Sequence, residues 1–235
     1  MLTIISSFYN EENGVNSFVL GLRTCMQSHD DVQAILVNNG STDKTLSELN
    51  SHSKDAYSIK VFDNPTPGGY GLGVNFGISQ SVTSYVLILP SDLQFQFEDV
   101  SRLISTARIL SSNFESKHVN IFSKRKRLDG PFASVRGKIW ALIVNLFLKI
   151  PYKLDPASQL KLLCRCCIPD MVSTDFMWDL ELSYKMNIDN KIQDLLEVEF
   201  RPRITGKSSV AIFPIRTEIM ALKKLINLFK NLRQL

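Results

Sequence analysis

Five short apolar runs mark out the first half of the chain: Leu2 to Ser6, Ala34 to Asn38, Ser58 to Phe62, Tyr85 to Leu89 and Val119 to Phe122. Most are β-rich and of strand length, as central strands buried on both faces are. Between the early runs, Asn13 to Gln27 places Val15, Phe18, Val19 and Leu22 on one helical face, while Asp43 to Asn50 is shorter and more polar. Val74 to Ser81 predicts a further helix. Strands alternating with helices imply parallel pairing through right-handed crossovers, so residues 1–110 read as a Rossmann-like half.

Polar motifs follow four of these runs. They are Ser7-Phe8-Tyr9-Asn10-Glu11-Glu12, Val37-Asn38-Asn39-Gly40-Ser41-Thr42-Asp43, Gly71-Leu72-Gly73-Val74-Asn75-Phe76-Gly77 and Ser91-Asp92-Leu93-Gln94. The order gathers polar groups at one edge of a sheet, where open α/β sheets bind ligands. Gly40 permits a tight turn, and Ser41 or Thr42 can cap the helix after it. The amides of Asn38 and Asn39 stand where a base and ribose could be read. Gly68-Gly69-Tyr70-Gly71-Leu72-Gly73 lets backbone approach a ligand, with the next helix N-terminus suited to phosphate. The same loop is also compatible with an ordinary turn.

A length of 235 residues fits one large α/β domain, and the 44% hydrophobic content supplies a core. The domain is expected over residues 1–215, with a separate helix over 216–235. The start of the chain lacks the basic leader of a signal peptide. The longest apolar stretch, Ile139 to Ile150, is shorter than the roughly twenty residues a spanning helix needs, and predicts either a core helix or a membrane-surface helix. Cys25, Cys164, Cys166 and Cys167 form no paired framework, and Cys164-Arg165-Cys166-Cys167 lacks the spacer of a zinc knuckle. Buried thiols in a reducing cytosol are the expectation.

The net charge of +4 is unevenly spread. Lys124-Arg125-Lys126-Arg127 is followed by Arg136 and Lys138, and Arg201, Arg203 and Lys207 form a second group. Such runs are solvated faces or, after a nucleotide-like half, phosphate sites. From Thr217 to Leu235, Leu222, Leu225, Ile226, Phe229 and Leu232 recur at helical spacing among lysines, a basic amphipathic helix. It could lie on anionic lipid, on the domain, or on a second subunit as a homodimer contact; lipid is favoured.

The motifs together resemble family 2 glycosyltransferases of the GT-A fold, most closely the branch of dolichyl-phosphate mannose synthase and polyprenyl-phosphate sugar transferases. The resemblance runs from Ile4 to about Ser209. It adds Met177 to Tyr184, similar to the helix carrying a Glu-Asp motif, and Glu197 to Ser208, similar to a Glu-Val-x-x-Arg-x-x-Gly-Lys-Ser segment. It implies a three-layer α/β GT-A sandwich with a mostly parallel central sheet. It also implies inverting transfer of a sugar from a UDP- or GDP-linked donor to a polyprenyl phosphate at the cytoplasmic membrane face, with no nucleic-acid partner.

By that resemblance, Ser7, Tyr9, Glu11, Asn38, Gly40, Ser41, Gly71, Gly73, Asn75, Ser91 and Asp92 hold the nucleotide-sugar. Asp92 and Gln94 hold a weakly bound Mg or Mn ion, and Arg125, Arg127, Arg203 and Lys207 hold phosphates. Asp179 is the catalytic base or orienting carboxylate, or else a helix N-cap. Ser7 stands where the family has proline, Asn38 and Asn39 where it has aspartates, Pro90 where it has the first metal carboxylate, and Trp178 where it has glutamate. If metal ligands are fewer, Arg203 and Lys207 would take over charge stabilisation. Two other readings stay open: a soluble transferase acting on a sugar hydroxyl in polysaccharide assembly, and a non-catalytic nucleotide-sugar binder.

Overall fold

The computed structural model describes residues 1–53, 58–112, 119–128, 130–151, 154–189, 191–192, 194–203 and 214–232. Seven strands form one sheet in the order β3-β2-β1-β4-β6-β5-β7. These are β1 (Leu2–Phe8), β2 (Val32–Asn38), β3 (Ile59–Asp63), β4 (Tyr85–Ile88), β5 (Ile121–Arg127), β6 (Lys161–Cys164) and β7 (Asp194–Phe200). Only β6 runs against its neighbours. The carboxyl ends of the other six therefore share one edge.

The helices are α1 (Val15–Met26), α2 (Thr45–Ser53), α3 (Tyr70–Gln80), α4 (Phe97–Ser112), α5 (Pro131–Leu148), α6 (Trp178–Ile188) and α7 (Pro214–Leu232). Alternation along β1 explains the layers: Phe8 meets Phe18 of α1 edge to face, whereas Ile5 lies against Gly77 of α3 on the other face. Helix α1 contacts both α2 and α4, while α3 contacts α6. The α/β class with a mostly parallel central sheet that the sequence leads one to expect is the class observed.

Two strands fell outside the sequence expectation. β6 is a four-residue insert, and β7 (Asp-Leu-Leu-Glu-Val-Glu-Phe) carries three acidic residues that mask its β signal. The basic run 124–127 is the second half of β5, with Lys124 and Lys126 exposed and Arg125 and Arg127 half-buried in alternation. A charge run in a strand is thus sorted by pleat into two faces.

Helix α5 meets the core expectation for part of its apolar stretch. Val144 and Leu148 are in the core, while Val135, Ile139, Leu142 and Leu146 form an exposed stripe. The α7 stripe corrects the preference for lipid. Leu225, Leu228 and Leu232 are buried, Phe229 packs edge to face on Phe147 of α5, and Lys224 pairs with Asp175. Burying those leucines on an apolar helix face is favourable without any bilayer. None of the four cysteines is in a disulfide. The sulfurs of Cys164, Cys166 and Cys167 nevertheless lie within 4.8 Å of one another, at the sheet edge opposite the motifs. Burial, then the neighbouring Cys166, pushes the Cys164 thiol up to about 12.

Candidate active site at the carboxyl edge of the sheet

The loops after β1 and β2 are laced together by reciprocal hydrogen bonds. Thr42 N donates to Asn10 Oδ1 at 2.8 Å, Glu11 N to Thr45 Oγ1 at 2.9 Å, Glu12 N to Asp43 Oδ2 at 3.2 Å and Lys44 N to Glu12 Oε2 at 3.0 Å. Asp43 also accepts from Thr45 N at 2.9 Å and so caps the first turn of α2. Burial disfavours its ionisation, but the bonds from Thr45 and Glu12 outweigh that and hold the carboxyl below its usual range. Asn10 at φ 54° and Gly40 at φ 81° make the two turns that bring these loops side by side. Tyr9 and Ser41 lie on the rim, Tyr9 at 59% exposure.

The paired asparagines have structural partners that aspartates could not have. Asn38 Nδ2 donates to Asp63 Oδ1 at 2.7 Å while its Oδ1 accepts from Ser41 N. Asn39 Nδ2 donates to the carbonyls of Gly68 and Gly69 at 3.0 and 3.1 Å, and its Oδ1 accepts from Asn64 Nδ2 at 2.9 Å. Both are buried. Asn38 thereby orients Asp63, an exposed carboxylate at the end of β3 that the motifs did not single out.

The glycine-rich segment packs on protein. A Cβ on Gly73 would fall 2.1 Å from Ser7 Oγ, and one on Gly71 would fall 2.7 Å from the Ser173 carbonyl. The first turn of α3 is therefore pressed onto the end of β1 and the 173–175 loop, and Leu72 N donates to Thr174 O at 3.1 Å. Ser91 is likewise tied inward, its Oγ donating to Ser7 O at 2.9 Å.

Asp92 lies at this edge, 8% exposed, and faces a guanidinium. Arg203 Nη2 is 3.0 Å from Asp92 Oδ2, and Nη1 is 3.5 Å from Glu11 Oε1. Burial raises the pKa of both carboxyls, and Arg203 opposes the rise. Gln94 is committed to Arg201: its carbonyl accepts from Arg201 N at 2.9 Å, and its Nε2 donates to Arg201 O at 2.9 Å. A divalent ion needs several hard oxygen ligands. Among the described residues, the cysteine triad alone brings three potential metal ligands together, and Asp92 belongs to no such group. With Pro90 offering no carboxylate and Arg203 on Asp92, the donor set does not fit the Mg or Mn site drawn on Asp92 and Gln94.

Asp179 sits in the first turn of α6 at 2% exposure, and Met177 is the N-cap. Its Oδ1 is 2.5 Å from Lys161 Nζ, which is itself wholly buried and also donates to Ser158 O. Burial pushes the Asp179 pKa up and that of Lys161 down, each opposed by the partner's charge. Trp178 Nε1 donates to Asn75 Oδ1 at 2.7 Å, and its ring meets Tyr70 edge to face, so this residue joins α6 to α3. The Tyr70 hydroxyl is buried with no hydrogen-bond partner among the described residues. Burial first, then the charges of Asp179 and Asp92, raise its pKa well above normal and keep it a donor. Glu181 faces elsewhere, accepting from Val172 N and Ser173 N and pairing with Lys185.

The basic groups divide. Arg125 makes a two-pronged pair with Asp155, at 2.7 and 2.8 Å, and lies over the Phe200 ring. Arg127 also lies over the Phe200 ring, 5.2 Å from its centroid. Both are near the edge; the cation paired with Asp92 among the described residues is Arg203. Lys207 lies outside the described residues. Lys161, Asp63, Asp155 and Tyr70 carried no motif signal; the Tyr70 position within the glycine-rich loop was the one available hint.

A mostly parallel sheet with laced loops and a carboxylate-guanidinium group at its carboxyl edge defines an α/β protein with a candidate ligand site at its strand ends. The model of Glycosyl transferase family 2 matches residues 3–136, more than half of the chain, and the protein belongs to that family. An uncharacterized glycosyltransferase of Haemophilus influenzae is 31% identical over 93 residues, covering 39% of this chain and 36% of that protein. An undecaprenyl-phosphate 4-deoxy-4-formamido-L-arabinose transferase of Proteus mirabilis is 26% identical over 141 residues, 59% of this chain and 41% of that protein. The chain thus spans about two fifths of these relatives. Glucosyl-3-phosphoglycerate synthase from Mycobacterium tuberculosis, in complex with UDP, superposes with a TM-score of 0.69 at 14% identity, over 98% of this chain and 80% of that one. The same synthase has been solved with Mn2+ and UDP-glucose, at a TM-score of 0.65, 13% identity and coverage of 90% and 73%. These likenesses establish the shared fold.

Proposed function

We propose that the protein is an inverting glycosyltransferase that moves a sugar from a nucleotide-sugar to a polyprenyl phosphate. The observation that carries this reading is the state of the carboxylates. A hydroxyl acceptor must lose a proton during attack, whereas a phosphate is already anionic. Asp179 is enclosed and paired with Lys161, and Asp92 and Glu11 are both turned to Arg203. That arrangement suits an acceptor needing no base. Asp179 then acts as a positioning carboxylate in the first turn of α6, paired with Lys161.

In this reading Tyr9, Glu11, Gly40, Ser41 and Asp63 surround the nucleoside, with Asn38 holding Asp63 in place. Asp92 and Arg203 face the diphosphate. An acceptor phosphate oxygen forms the new bond to the anomeric carbon from the side opposite the diphosphate. The bond from that carbon to the diphosphate oxygen breaks, and its electron pair leaves with the nucleoside diphosphate.

No described helix is long and apolar enough to cross a membrane. The α5 stripe of Val135, Ile139, Leu142 and Leu146, flanked by exposed Arg136, Lys138 and Lys149, supports peripheral contact with an anionic lipid surface where such an acceptor resides. The undecaprenyl-phosphate transferase among the relatives supports the same acceptor class. The test is radiolabel transfer from UDP- and GDP-linked sugars to undecaprenyl phosphate or to saccharide acceptors. Product on the lipid phosphate is expected; product on saccharide hydroxyls alone would refute this acceptor.

A further inference from the structure

Asp92 on the diphosphate side and Glu11 on the nucleoside side of the candidate site converge on one arginine. Arg203 Nη2 reaches Asp92 Oδ2 at 3.0 Å and Nη1 reaches Glu11 Oε1 at 3.5 Å. The backbone makes this placement. Phe200, the last residue of β7, bridges to Phe95 and packs its ring on that phenylalanine with centroids 5.2 Å apart. Arg201 then exchanges two hydrogen bonds with Gln94, fixing residues 201–203 in register beside 92–95.

We propose that the Arg203 guanidinium is the resident cation of this site, so that nucleoside diphosphate is held and released without a divalent metal ion. The inference rests on the transferase reading and adds what neutralises the leaving group. Pro90 supplies no carboxylate, and Asp92 and Glu11 are both taken up by Arg203, which leaves too few free hard ligands for a divalent ion. A divalent ion at Asp92 would also have to displace a like-charged guanidinium 3.0 Å away. A guanidinium has five N–H donors in a planar fork, so two carboxylate contacts leave others for phosphate oxygens. As the carbon-oxygen bond breaks, the electron pair moves to the diphosphate and Arg203 meets the new negative charge. The acceptor phosphate brings no proton to be disposed of.

The experiment titrates UDP and GDP into the full chain by calorimetry, in EDTA and in MnCl2, and follows Mn2+ itself by electron paramagnetic resonance. Wild-type protein should bind its preferred nucleotide with dissociation constants within about twofold in the two buffers, and should leave the Mn2+ spectrum unchanged. Arg203→Ala should weaken that nucleotide roughly thirtyfold or more in EDTA. With Asp92 and Glu11 released, it should also gain Mn2+ binding that restores part of the loss. Arg203→Lys, which keeps the charge and loses the fork, should fall between the two and guards against misfolding as the cause. Nucleotide binding by wild type that disappears in EDTA and returns with bound Mn2+ would overturn the proposal while leaving the transferase reading intact. Absence of nucleotide binding in both buffers would instead sink the transferase reading. The Mn2+ comparison of wild type with Arg203→Ala would still decide which cation the carboxylates hold, and no gain in the variant would count against arginine.

Discussion

Asn39 donates to two glycine carbonyls and accepts from Asn64, a set of bonds that joins the ends of β2 and β3 to the glycine-rich loop. Asn39→Asp removes both donors and places negative charge against those carbonyls. It should cost about 2 kcal/mol, read as a lowered urea midpoint at neutral pH with an unchanged m value. Asn38 shows the same logic, since an aspartate there would face Asp63. The sequence showed that position 38 departs from the family's carboxylate; it could not show that the amide is occupied by Asp63 and Ser41, residues 25 and three positions away. Tyr70 belongs to this scale too. Its hydroxyl is buried without a partner among the described residues at the junction of α3 and α6, and that fact depends on packing alone.

At the scale of elements, β6 and α6 meet through the buried pair of Lys161 and Asp179. Removing one member strands a charge in the core, so Lys161→Met should destabilise by about 3–5 kcal/mol in chemical denaturation, with Lys161→Met/Asp179→Leu recovering most of the loss. The clamp of β5 on the 154–158 segment behaves differently. Burial opposes ionisation of Asp155, but the Arg125 charge and its hydrogen bonds outweigh burial and hold the carboxyl below its ordinary 3.8. A depressed folded pKa contributes stability that is present above the unfolded value and is lost as pH falls through the folded one. Urea midpoints should therefore drop more steeply below about pH 3.8 in wild type than in Asp155→Asn, whose midpoint is already lower at neutral pH. The alternating strands and helices of residues 1–110 were legible because their apolar periods are local. β7 was not, because its acidic residues are tolerable only once Phe200 and Val198 are buried by neighbours distant in sequence.

At the scale of the whole molecule, the amphipathic α7 and the apolar stretch of α5 meet each other through Phe229 and Phe147, and the stripe left exposed belongs to α5. Leu142→Glu/Leu146→Glu should cut co-sedimentation with anionic phosphatidylglycerol vesicles by roughly tenfold while leaving the thermal midpoint within a few degrees, since both positions are exposed in the folded chain. The chain's own pattern determined the α/β class, the strand-end motifs and the basic amphipathic character of the C-terminal helix, because periodicity, turn chemistry and local charge are properties of neighbouring residues. Tertiary structure decided which charges meet. It brought Arg203 to Asp92 across 111 positions, enclosed Asp179 with Lys161, and turned Arg125 inward to Asp155. Those pairings follow from sheet order and burial, which bring distant residues together and make an unpaired charge costly.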